Sequence, residues 1–220
     1  YKKVLDQRNK LLRELRERPF AHSGLEAWNE QLVRYGAPIL QKRRFFVEQL
    51  APLADEIHRE LTEGRESLEV RFVPSVPLPE EESDAAYEEA FRVRQKEVAS
   101  EETRRGVTLL GPQRDELQFF INGMDARSFG SQGQQRTVVL SLKLAEYRLM
   151  EKHIGEPPVV LLDDVMSDLD DARRRHLMNW LHRRCQVFLT CTNLQAVPSD
   201  ILEGSAVFRV HAGTISRDGK

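Results

Sequence analysis

Pro158-Val159-Val160-Leu161-Leu162-Asp163-Asp164 sets four aliphatic residues against two adjacent carboxylates. A short continuous apolar run of this kind predicts a strand buried on both faces of a parallel sheet. Open α/β sheets bind ligands at the carboxyl ends of their strands, so Asp163 and Asp164 stand where chemistry is expected. Successive side chains at a strand end point in different directions. One carboxylate can therefore hold a metal ion while its neighbour faces another atom. Phosphoryl transfer to water uses that division, with a cation neutralising phosphate charge and a second group orienting the water. The plainer reading of an acidic run is a helix start, where the dipole favours acids. That reading suffices for Asp171, which follows Asp168 and Asp170. It explains Asp163 and Asp164 less well, because acids placed directly after a buried strand are costly to desolvate without a use.

Upstream, Gly130-Ser131-Gln132-Gly133-Gln134-Gln135-Arg136 leads into a helix expected from Gln134 to Lys152, with Val138, Leu142, Ala145 and Leu149 on one face. A small-residue turn at a helix start exposes free N–H groups and the positive dipole end, a natural phosphate seat. Alone it is an ordinary cap. One helix before a strand that ends in paired acids, it gains meaning. The flanking text alternates strands and helices. Val107–Leu110 and Leu117–Ile121 read as strands, and Asn122-Gly123 as a tight hairpin turn. Asp171–Arg184 reads as a helix, Gln186–Thr190 as a second buried strand, and Val207–Val210 with Thr214–Ser216 as a hairpin around Ala212-Gly213. The pattern predicts an α/β sheet with right-handed crossovers.

The first half has another texture. Val4, Leu5, Leu11, Leu12 and Leu15 recur at helical spacing, and Pro19 stops that helix. Ser23 and Glu26 form a capping-box pattern. A long amphipathic helix follows, carrying Leu25, Trp28, Leu32, Ile39, Phe46, Leu50, Leu53, Ile57 and Leu61, with kinks or breaks expected at Pro38 and Pro52. Leu68–Phe72 alternates like a strand. Pro74, Pro77 and Pro79 mark a loop, and a charged helix is expected over 84–105. Two regions are thus expected: a mostly helical lobe at 1–105 and an α/β region at 106–220.

Composition limits the possibilities. Of 220 residues, 40% are hydrophobic and 31% charged, which excludes a wholly disordered chain. A net charge of −2 excludes coating nucleic acid by bulk charge, so any DNA surface must be local. Apolar runs such as 157–162 are too short to cross a bilayer, and no charged-then-apolar leader opens the chain. No membrane partner is therefore expected. Two cysteines, Cys185 and Cys191, make neither a disulfide framework nor a zinc quartet, which fits the cytoplasm. Tyr1-Lys2-Lys3-Val4-Leu5, without an initiator Met, reads as part of a longer protein.

Ser131-Gln132-Gly133-Gln134-Gln135-Arg136 resembles the signature motif of the ATP-binding-cassette ATPases. Asp163-Asp164 resembles their Walker B motif, and Ser167-Asp168-Leu169-Asp170 their D-loop. Gly111-Pro112-Gln113-Arg114-Asp115-Glu116-Leu117, then Ile121-Asn122-Gly123 and Asp125-Ala126-Arg127, narrow this to a resemblance to the bacterial RecF family of gap-repair ATPases. The resemblance is closest from Gly106 to Asn193, and it implies part of a cassette-type ATPase head plus a helical second lobe. By the same resemblance Asp163 would hold Mg²⁺ and Asp164 would be the catalytic group polarising water. Ser131, Gly133 and Gln134 would contact the γ-phosphate of ATP on the other subunit, and Ser167 and Asp170 would line a homodimer interface. Also implied are DNA repair, recombination, replication and the SOS response, loading at single-strand/double-strand DNA junctions, and work with RecR and RecO.

Two departures stand out. No G-x-x-x-x-G-K-[ST] phosphate loop occurs; Gly213–Lys220 is a decoy with one residue too many. The position expected for a switch histidine reads Cys191-Thr192-Asn193, and Gln113 stands where the family has His. This chain alone is therefore expected to be inactive as an ATPase. The competing expectations are a non-catalytic module docking DNA or a mediator protein, and a Rad50- or SMC-like head. The want of sustained heptads over 1–105 weighs against the last. Arg173-Arg174-Arg175 and Arg183-Arg184 read as solvated helix faces, His176 and His182 as surface residues, and Trp180 as core.

Overall fold

The computed structural model describes residues 1–18, 24–181, 184–194, 197 and 199–217. It is an α/β chain whose contacts divide it into two compact units, Tyr1–Pro52 with Glu69–Asp125, and Leu53–Leu68 with Ala126–Lys220. The texture change at Gly106 and these packing boundaries are different divisions of the sequence. Pro19 and Ser23, the expected helix stop and cap, lie outside the described residues, as do His182, Arg183 and the Asp218-Gly219-Lys220 end of the decoy.

In the first unit α1 (Lys2–Glu17) buries Val4, Arg8 and Leu12 on one stripe. The helix α2 (Leu25–Leu61) begins here and contains both Pro38 and Pro52 without interruption. Each proline removes a single backbone bond, and the buried stripe on either side holds the helix together. The break between units coincides with Pro52. Phe46, expected on the inner face, is 45% exposed, and Val47 takes its place at 8%. Strand β1 (Leu68–Val73), α3 (Asp84–Arg105), and the hairpin β2 (Glu116–Ile121) with β3 (Met124–Asp125) complete the unit. Asn122 and Gly123 both take positive φ (49° and 81°), as a two-residue hairpin turn requires. The core gathers Val4, Leu32, Val33, Ala37, Leu40, Val76, Tyr87, Phe91 and Leu110. A Cβ on Gly36 would collide with the Phe91 ring, so only glycine admits that ring.

The segment Val107–Leu110 is not a strand. Two of its backbone donors are taken by side chains instead: Thr108 N–H donates to Asn9 Oδ1 at 2.8 Å and Leu109 N–H to Glu102 Oε1 at 2.8 Å. Beneath it Arg8 is 1% exposed and paired with Glu102 at 2.6 Å, while its other nitrogens donate to Asn29 Oδ1 and Thr108 Oγ1.

The second unit holds α4 (Ala126–Phe129), α5 (Gln132–Ile154), β4 (Val160–Asp163), α6 (Asp171–Leu181), β5 (Val187–Thr190), α7 (Ser199–Glu203) and the hairpin β6 (Phe208–His211) with β7 (Thr214–Arg217). Strands β4 and β5 pair in parallel, Leu161 opposite Phe188 and Asp163 opposite Thr190. The expectation of burial on both faces fails. Leu161 is 74% exposed and Phe188 55% exposed, because these paired residues share the open face while Val160 and Leu162 are half-buried. Trp180 is core, meeting Tyr147 edge-on at 5.3 Å. Among the described residues no helix is long and apolar enough to cross a membrane.

Arg8→Ala is expected to cost about 3–5 kcal/mol in urea unfolding, because it strands the Glu102 carboxylate in the core. Replacing both members, Arg8→Met with Glu102→Leu, is expected to cost less than the single change.

Candidate functional site

The parallel register that sets Asp163 beside Thr190 also builds the acid tip. The Thr190 hydroxyl donates to Asp163 Oδ1 at 2.6 Å and accepts the Asp164 N–H at 3.0 Å. One β-branched side chain therefore fixes a carboxylate and the backbone that follows it. Asp164 takes φ +51°, the left-handed region, at a cost of roughly 1 kcal/mol, and turns the chain into a short 3-10 segment, Val165–Asp168. Both acids are exposed, so a cation and water reach them. Thr190 is a site residue that sequence reading misses; only the strand register reveals it.

Ser131 is the N-cap of α5, which begins at Gln132, earlier than the spacing suggests. Its hydroxyl accepts the Gln134 N–H at 3.2 Å, and Gln134 Oε1 accepts the Ser131 N–H at 2.9 Å, a complete capping box. The Gln134 amide oxygen is thus committed to its own turn. Gly133 lies in the first helical turn, where a Cβ would come 3.7 Å from Arg173 Nη1. Arg173 in turn pairs with Asp170, and its backbone N–H donates to Asp170 Oδ1 at 2.9 Å. The Arg173 backbone N–H first, and its guanidinium next, hold the Asp170 carboxyl below the usual range. Arg173 thereby brings Gly133 and Asp170 together. It is no solvated face residue, and neither is Arg174, whose Nε donates to the Met166 carbonyl at 2.6 Å. The Ser167 side chain lies outside the described residues.

Behind the Ser131 turn lies a buried polar network. Gln134 Nε2 donates to Glu66 Oε1 at 3.0 Å, and Glu66 Oε2 meets His58 Nε2 at 3.2 Å. His58 Nδ1 lies 3.0 Å from Ser141 Oγ, and Thr137 Oγ1 donates to the Gly133 carbonyl at 2.8 Å. Ser141, His58 and Glu66 have the atom types of an acyl-transfer triad. Ser141 and His58 are both 0% exposed, so no substrate reaches them and the group is a brace. Burial pushes the His58 imidazole below its ordinary value of 6.5, against the pull of Glu66, and keeps it neutral.

Among the described residues no three His, Cys, Asp or Glu side chains gather as a metal site. Mg²⁺ needs no such cage, since it is commonly held by one or two carboxylates with phosphate and water. An exposed Asp163 beside a hydroxyl fits that hard-oxygen donor set.

The chain is similar along its length to curated proteins named DNA replication and repair protein RecF. It is 39% identical to that of Oceanobacillus iheyensis over 217 residues, which is 98% of this chain and 59% of the relative. It is 43% identical to that of Heliobacterium modesticaldum over 221 residues, 100% of this chain and 59% of the relative. No family model matches. Two solved structures share the fold: the recombination mediator protein RecF-ATPrS in the RecFOR pathway, at TM-score 0.85 and 33% identity over 99% of this chain and 56% of that one, and RecF-ATP, at 0.82 and 30% over 100% and 57%. The chain spans about 59% of the length of these curated relatives.

A neutral, buried His58 must charge on unfolding in acid, so stability is present above pH 6.5 and falls as the pH drops below it. The melting temperature is expected to decline between pH 7 and 5.5, with a shallower slope in His58→Gln. An equal slope in both proteins would refute the assignment.

Proposed function

We propose, from its RecF likeness over the whole chain, that this protein is a RecF-like component of DNA recombination and repair that completes an ATP site in a dimer. The observation that carries the reading is a pairing within one unit. An open carboxylate tip at the end of a parallel strand accompanies a capped, glycine-bearing helix start.

In this reading Asp163 holds Mg²⁺, whose charge offsets that of the phosphates. Asp164, turned off the strand line by its left-handed backbone, orients the attacking water. The Ser131 hydroxyl and the Gln132 and Gly133 N–H groups, at the positive dipole end of the helix that Ser131 and Gln134 cap, bind the γ-phosphate of ATP held by a second copy. Asp170, fixed by Arg173, and Ser167 lie at the subunit boundary. A phosphate-loop segment absent from these 220 residues supplies most of the nucleotide affinity, so this chain alone does not hydrolyse ATP. Residues 1–105 serve as the helical second lobe and 106–220 as the later part of the ATPase head. The whole protein acts in the cytoplasm at single-strand/double-strand DNA junctions, with RecR and RecO as partners and ATP as the bond between subunits. A role in the SOS response follows from the same kinship.

The alternative, an idle ATPase fold docking DNA or a mediator protein, makes a different prediction for Asp164→Asn in the intact protein. The enzymatic reading expects turnover to fall about 100-fold or more, as when a group that orients the nucleophile is removed. ATP-dependent dimerisation persists. Unchanged repair function and turnover in Asp164→Asn would favour the docking module.

A further inference from the structure

The Gln134 amide serves the Ser131 turn with its oxygen, and the Ser131 N–H alone already demands that oxygen. The NH₂ end takes no part in the cap and needs a partner of its own. Glu66 supplies it. An ionised carboxylate only accepts hydrogen bonds, so the NH₂ end must face Glu66 Oε1 and the oxygen end must face Ser131. Glu66 is in turn held from two sides. His58 Nε2 meets its second oxygen, and Thr62 Oγ1, which donates to the His58 carbonyl at 2.8 Å, accepts the Glu66 N–H at 3.3 Å. His58 is 0% and Thr62 4% exposed, so the anchor is fixed by packing.

We propose that Glu66, anchored by His58, is a positioning residue for the nucleotide contact made by the Ser131 turn. The inference rests on the proposed trans contact of that turn and adds a residue 68 positions away in sequence. Its role is to spare the helix start any rearrangement when the second copy's phosphate arrives. Preorganised donors bind without an ordering cost, whereas a turn whose capping side chain is held at one end only must be ordered further at association.

The test uses the full-length protein, with ATP-dependent self-association followed by sedimentation alongside ATP binding by separate subunits and the nucleotide-free melting temperature. Gln134→Glu keeps a Ser-x-x-Glu capping box but sets a carboxylate against Glu66. It is expected to weaken ATP-dependent association roughly tenfold, the worth of about one charge-assisted hydrogen bond. ATP binding by separate subunits should stay at the wild-type value, while the melting temperature falls with the facing carboxylates and recovers in the exchange below. Exchanging the two groups, Glu66→Gln with Gln134→Glu, restores every bond of the chain and is expected to restore association. Glu66→Ala, which adds no charge, should weaken association as Gln134→Glu does. Normal association in Gln134→Glu or Glu66→Ala, or no recovery in the exchange, overturns the brace. Normal association in Ser131→Ala overturns the trans contact itself, which separates the two failures.

Discussion

A helix start leaves its first amide groups without intrahelical partners, and the way α5 meets that demand shapes everything around it. Ser131 and Gln134 satisfy each other's N–H groups, and Glu66 holds the NH₂ end of the Gln134 amide. The outermost amides of the turn remain directed away from the helix, where an anion gains from both the donors and the dipole. Removing Glu66 would leave the two bonds of the cap in place and free the NH₂ end of the Gln134 amide. Local capping supplies stability here, and a distant carboxylate holds the capping side chain from its other end.

The acid tip is governed by a different constraint, the parallel register of β4 and β5. Pairing Asp163 with Thr190 puts one hydroxyl within reach of the carboxylate and of the next backbone N–H. The strain at Asp164 is the local cost of sending two neighbouring carboxylates in separate directions. Arg173 connects the remaining pieces, lying near Gly133 and pairing with Asp170. In the proposed dimer these features divide the labour: one copy's strand end handles cation and water, and the other copy's helix start receives the phosphate.

Much of this was legible in the sequence. Periodicity located α1 and α2, the charged stretch after the proline loop located α3, the Asn122-Gly123 pair located its hairpin, and the aliphatic run before Asp163 located a parallel strand. What escaped depended on tertiary partners. Arg8 occupies a position of the buried α1 stripe, where its charge is tolerated only because Glu102, far along the chain, neutralises it. Val107–Leu110 has strand-like residues, but Asn9 and Glu102 take the hydrogen bonds a ladder would use. The open face of Leu161 and Phe188 looks in sequence like a covered one. His58, Glu66 and Ser141 carry no pattern that a linear reading detects, since three separate segments must meet before they form a brace.

The central claim, that the Ser131 turn closes on a nucleotide held by a second copy, is tested most directly by amide hydrogen exchange in the full-length protein with and without ATP. ATP is expected to slow exchange at the Gln132 and Gly133 amides, and this protection is expected to grow with protein concentration as dimers form. Protection of those amides that is the same in dilute monomer, or no protection in the fully formed dimer, would contradict it.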